Sequence, residues 1–248
     1  MHPAFCHELG IPGGEEMGFD EKPGNTVPPD LPFFTETGRE ILLKDLLKGP
    51  VILTIIYYRC ENACDLLLTD LSATLRSFAD KPETAPQLIT VSFNPEETPA
   101  DAVKAKALAF ETIEKPYPAD KWRFLTGRAE SIKKLTDAVG FRYIVQDGEF
   151  THPLGLIVLS PKGKIMRYIM GTDFLPLDIT MSLMEASTGT IQPTLVRVLR
   201  FCFAYDPQSH RYVFNLLQVS AVAISITIGI FVLYLVLSGR KRRQKGVH

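Results

Sequence analysis

The chain has 248 residues, 46% of them hydrophobic, and its 27 Lys and Arg against 28 Asp and Glu leave a formal net charge of -1. That length suits one sizeable domain plus an appendage. Nothing in this even balance points to a nucleic-acid partner, which would normally leave a basic domain or stripe, and the only basic cluster lies at the extreme C-terminus.

Taken in order, residues 1–26 are rich in Gly, Pro and acidic residues and read as an extended lead-in. They show no basic region followed by an apolar run, so an exported domain would need a start upstream or a leader already removed. Leu31 to Leu43 reads as a hairpin around Glu36-Thr37-Gly38, with Gly supplying the left-handed turn conformation. Val51 to Tyr58 is an unbroken β-branched and aromatic run, as expected of a central strand buried on both faces. It stops at Arg59-Cys60-Glu61-Asn62-Ala63-Cys64, after which Asp65 to Ala79 places Leu66, Leu67, Leu71, Leu75 and Phe78 at helical spacing.

A second apolar strand, Leu88 to Phe93, ends at Asn94-Pro95. Thr98-Pro99 then reads as an N-cap and first helical residue, opening a helix to about Ile113. Arg128 to Val139 is a further helix closed by Gly140. Phe141 to Gln146, Gly155 to Leu159 and Ile165 to Ile169 read as strands, the last two joined by the turn Ser160–Gly163, before a final helix from about Leu177 to Ala186. The order is a hairpin, then β-α-β-α, then a strand and a β-hairpin, then a helix. It predicts an α/β domain at residues 27–190, with a mixed sheet flanked by helices on both faces.

A linker, residues 191–215, leads to Leu216 to Leu237, which holds no charged residue. As a helix it would rise about 33 Å, enough to cross a bilayer core of about 30 Å. Arg240, Lys241, Arg242, Arg243 and Lys245 follow within the tail, residues 238–248. Positive residues favour the cytoplasmic side, so the expectation is a single C-terminal membrane anchor with the main domain outside, in the periplasm or its equivalent.

Cys60 and Cys64 carry the chemistry. A strand-to-helix junction places them near helix-end amides whose partial positive charge favours thiolate. Arg59 pushes the same way, and Glu61 and Asp65 push against it. Four residues apart, the two sulfurs can form a disulfide or hold one soft metal ion together. Cu(I), zinc and iron–sulfur clusters all accept such a pair, but zinc and clusters usually take four protein ligands. Two sulfurs and one imidazole suit copper better. His152, in a loop before the Gly155 strand, is the natural third ligand, although alone it would read as a packing or surface residue.

VILTIIYYRCENAC, VSFNPEETP and the isolated histidine before GLIVLSPKG resemble, in order and spacing, the Sco/SenC family of copper-handling thioredoxin-fold proteins. The resemblance runs from about Val27 to Ala186, and RVLRFCFAYDPQSHRY before the apolar span is similar to a membrane-bound bacterial branch. It implies a thioredoxin-like fold with Cys60, Cys64 and His152 as ligands of a copper ion. It implies as client the copper-binding subunit of cytochrome c oxidase. The same low-pKa dithiol leaves open an alternative, thiol-disulfide exchange on the same fold, in which Cys60 attacks and Cys64 resolves through a Cys60–Cys64 disulfide.

This chain departs from the pattern in having Glu61 and Asp65 where the family often has Pro. It also has Asn94 where the family usually has Asp, which removes one negative charge. Tyr57 and Tyr58 read as strand core, and Met166, Met170, Met181 and Met184 as packing. Cys202 reads as a packed thiol, an intermolecular disulfide partner or an extra metal contact. Cys6, beside His2 and His7, reads as part of an unstructured lead-in.

Overall fold

The computed structural model describes residues 17–59, 63–80, 82–113, 115–146, 149–189, 203–206 and 211–214, with Thr227 and Phe231. The chain divides into two compact units, Met1–Ile191 and Gln192–His248.

In the first unit, β1 (Gly18–Phe19) precedes the hairpin of β2 (Pro32–Thr35) and β3 (Glu40–Leu42), and a short α1 (Leu43–Leu46) follows. Gly38 turns that hairpin with φ +78°, as its sequence predicts. Next come β4 (Val51–Ile56), α2 (Ala63–Leu75), β5 (Gln87–Ser92), α3 (Pro99–Ile113), β6 (Trp122–Thr126) and α4 (Ala129–Val139). After them run β7 (Phe141–Arg142), β8 (Ile144–Gln146), β9 (Glu149–Thr151), β10 (Gly155–Leu159), β11 (Ile165–Met170) and α5 (Pro176–Thr188).

A seven-stranded sheet has the order β11-β10-β4-β5-β6-β2-β3. Its centre, β4-β5-β6, is parallel, and the flanking strands are antiparallel. Strand alternation divides β4 between two cores. Ile52 and Ile56 pack with Leu67 and Leu71 of α2, Ala102 and Ala109 of α3, and Ile179 of α5. Val51, Leu53 and Ile55 pack with Ile132, Leu135 and Val139 of α4. Burial on both faces explains why β4 reads as an unbroken apolar run.

Four features differ from the sequence expectation. Residues 122–126 form β6, where no strand was expected, because Lys121 and Arg123 interrupt a short apolar stretch whose Trp122, Phe124 and Leu125 are nonetheless fully buried. The lead-in is tied down by residue 18: β1 pairs with β7, the Asp20 amide donates to the Gly140 carbonyl at 2.8 Å, and Gly24 donates to Ile165 at 2.7 Å. The stretch from Phe141 to Gln146 is two short strands, paired with β1 and with β9, and not one strand of the main sheet. Of the four methionines read as packing, Met166 is buried, but Met170 and Met184 are exposed.

The second unit contains an antiparallel hairpin, β12 (Phe203–Asp206) with β13 (Arg211–Phe214), in the register Phe203 opposite Phe214. Among the described residues no helix is long and apolar enough to cross a membrane. The expected span at residues 216–237 lies outside them except for Thr227 and Phe231. Cys6 and Cys202 also lie outside the described residues.

Two predictions concern this scaffold. Gly140 caps α4 at φ +65°, and a Cβ there would collide with the Asp20 carbonyl. Gly140→Ala is expected to cost about 2–4 kcal/mol, read from denaturant unfolding, through backbone strain and loss of the β1–β7 seam. The second concerns the buried carboxylate of Glu36, which accepts from Lys106 Nζ at 2.6 Å and Arg123 at 3.3 Å. Burial alone would raise its pKa, but Lys106 and Arg123 hold it below the usual value. Its contribution is therefore present above the unfolded-state pKa, about 4.3, and is lost as pH falls through the lower folded-state value. Lys106→Met is expected to remove about 2 kcal/mol at neutral pH, with the deficit shrinking in acid.

Candidate metal centre

The site grows from the C-terminal end of β4. Beyond Ile56 the two tyrosines project to opposite faces. Tyr57 packs its ring against Phe93 at 5.5 Å, Phe150 at 5.1 Å and the His152 imidazole at 5.8 Å. Tyr58 turns the other way, and its hydroxyl lies 2.8 Å from the Leu125 carbonyl and 3.0 Å from that of Thr90. Burial, with the nearby Glu97 charge, pushes the Tyr58 pKa well above its usual value, so the hydroxyl stays protonated and donates. Both rings are half-buried and pack against the core, and each also fixes the strand end that precedes Cys60 in the sequence.

His152 sits between β9 and β10, only 7% exposed, in a nest of aromatic rings. Phe93 lies 5.2 Å and Phe141 6.0 Å from its centroid. Its Nδ1 is 3.1 Å from the Pro153 carbonyl oxygen. A carbonyl only accepts, so this bond selects the tautomer with the proton on Nδ1 and the lone pair on Nε2. Burial pushes the pKa of the ring below its usual value, with the Pro153 bond opposing. A neutral imidazole, oriented by a backbone carbonyl through its other nitrogen, is the form in which histidine ligates metals.

Cys60 lies outside the described residues, and Cys64 is the second residue of α2, its side chain likewise undescribed. Among the described residues the helix runs from Ala63. The structure brings the His152 ring against Tyr57, which stands three positions before Cys60 in the sequence. No cluster of three or more His, Cys, Asp or Glu side chains occurs among the described residues, a set that omits both cysteine thiols.

Two further residues shape this corner. Arg59 directs its guanidinium to Asp101, with bonds of 3.3 and 3.0 Å to the two carboxylate oxygens. Arg59 holds the Asp101 carboxyl well below the usual carboxylate range, so this cation is matched by an anion. Asp101 also accepts from the amide and hydroxyl of Thr98, a cap that ties the same pair to the start of α3. Glu97, only 4% exposed, accepts from the Tyr58 amide at 2.8 Å, the Arg59 amide at 2.7 Å and the Ser92 hydroxyl at 2.5 Å.

Sequence reading missed Glu97, because a glutamate before a helix cap carries no pattern that separates it from a solvated one. Asn94 uses its side-chain oxygen to accept from the Glu96 amide at 3.0 Å, a local turn that asparagine supplies as well as aspartate.

Comparison with known proteins agrees with this geometry. A protein from Aquifex aeolicus VF5 superposes with a TM-score of 0.60 at 29% identity, covering 68% of this chain and 96% of that one. Arabidopsis thaliana ScoI, solved with copper bound, gives 0.54 at 19% identity over 64% of this chain and 99% of its own. BsSco, a Sco-family cytochrome c oxidase assembly protein with an identified disulfide switch, gives 0.53 at 22% over 68% and 97%. At those last two identities the likeness speaks for a shared thioredoxin-like α/β fold. A search of curated proteins finds no match. The SCO1/SenC family profile matches residues 20–186, which takes in β4, the cysteine pair, the Glu97 corner and His152, and the chain belongs to the SCO1/SenC family.

Proposed function

We propose that this protein is a copper carrier that holds one ion through the Cys60 and Cys64 thiolates and His152 Nε2. It would pass that ion to the copper-binding subunit of a cytochrome c oxidase. The observation that carries the reading is the setting of His152: buried among aromatic rings and bonded through Nδ1 to the Pro153 carbonyl, which leaves Nε2 as the ligating nitrogen. Two thiolates and an imidazole form a soft to borderline donor set that suits copper in a three-ligand site. ScoI of Arabidopsis thaliana and ScoI of Bradyrhizobium japonicum, of similar fold, have been solved with copper bound, and BsSco belongs to a family of cytochrome c oxidase assembly proteins.

The anchor belongs to the same proposal. A helix at residues 216–237 with the basic tail 238–248 inside would hold the domain, about residues 27–190, on the outer face of the membrane. Tethering there raises the effective concentration at a membrane-bound client without any added contact.

A second reading, thiol-disulfide exchange at Cys60 and Cys64, is favoured by the position of Cys64 in the first turn of α2, where helix-end amides stabilise thiolate. His152 separates the two, since copper holding needs the imidazole and dithiol exchange does not.

The test is copper binding to the fully reduced protein beside His152→Ala. One tightly held copper per chain is expected, weakened at least about a hundredfold in the variant, the upper end of what supporting residues around a metal are worth. A reduced protein that holds no copper yet exchanges disulfides equally well with or without His152 would establish the second reading instead.

A further inference from the structure

We propose that Glu97 is a positioning residue for the cysteine loop, clamping the backbone from which Cys60 departs so that its thiol meets the copper in the required geometry. The inference rests on the copper reading above. The β4–β5 ladder ends with Ile56 opposite Ser92, followed by the Phe93 amide donating to the Ile56 carbonyl at 2.8 Å. Past that point the amides of Tyr58 and Arg59 have no adjoining strand residue in the ladder. The Glu97 carboxylate stands in its place, Oε2 accepting from Tyr58 and Oε1 from Arg59. The Ser92 hydroxyl, at the end of β5, donates to the same Oε2 and joins the clamp to the sheet.

The two successive amides converging on one buried anion form a fixed nest. The bonds are charge-assisted, and they are made at the last two residues before Cys60. Asp101 reinforces them four positions further along by holding the Arg59 side chain. The start of α3 therefore grips both the backbone and the side chain of Arg59. A loop held this way loses little conformational freedom on binding the metal, and so binds it more tightly.

Glu97→Gln keeps size and shape but replaces one acceptor oxygen with an NH₂ group facing an amide donor. Glu97→Asp keeps the charge and retracts it by one methylene, while Ser92→Ala removes one of the three donors and leaves both backbone bonds available. For the full reduced chain, copper affinity by competition and the equilibrium of the Cys60–Cys64 dithiol with glutathione would be measured, with circular dichroism to check folding.

Glu97→Gln is expected to weaken copper at least tenfold and to move the dithiol equilibrium at least threefold. Glu97→Asp should fall between it and the parent, and Ser92→Ala nearest the parent. A folded Glu97→Gln protein matching the parent within twofold on both readouts overturns the proposal. Should that variant fail to fold, a Glu97→Asp protein matching the parent on both does the same. If the parent itself holds no copper, the copper reading fails, and the dithiol equilibrium alone decides whether Glu97 positions the cysteines.

Discussion

The end of a parallel strand creates a problem that the rest of this site is built to solve. Its last amides have no neighbour in the ladder, yet the residues just beyond must hold one geometry if they are to present reactive groups. In this protein the segment after β4 is held from every side within three residues. The Tyr57 ring enters one core, the Tyr58 hydroxyl reaches carbonyls of β5 and β6, and the amides of Tyr58 and Arg59 end on Glu97. Each unmade bond there would cost on the order of 1–3 kcal/mol in buried surroundings. The strand end is consequently stiff where the cysteine loop begins.

The other half of the site is held by apolar packing. Phe93 touches Tyr57, Phe141, Tyr143, Phe150 and His152, so one ring links β5, the β7–β9 region and the loop before β10. Aromatic pairs of this kind contribute about 0.5–1.5 kcal/mol each beyond their buried area. They also exclude water from the imidazole, which keeps it neutral, while the Pro153 carbonyl sets its tautomer. A lone histidine on a loop is thereby converted into an oriented nitrogen donor. Belonging to the SCO1/SenC family gives that donor a chemical context, but its orientation follows from these rings and this one hydrogen bond.

Much of this was legible in the sequence because the signals were local. VILTII could only be a strand buried on both faces, Gly38 and Gly140 marked a turn and a helix end by conformation alone, and Thr98-Pro99 opened a helix. The segments lost to the reading depended on partners far away in sequence. Trp122 to Thr126 forms a strand because β5 and β2 flank it, a circumstance that Lys121 and Arg123 conceal. The ion pair of Arg59 with Asp101, forty-two positions on, leaves no local mark in the sequence. Glu97 was invisible for the same reason: its three donors come from β5 and from the segment after β4.

X-ray absorption at the copper edge of the loaded protein tests the proposed ligand set most directly. The account predicts a first shell of two sulfurs and one imidazole nitrogen, with the nitrogen contribution lost in His152→Ala and the sulfurs retained. A shell without sulfur, or one whose nitrogen persists unchanged in that variant, would contradict it.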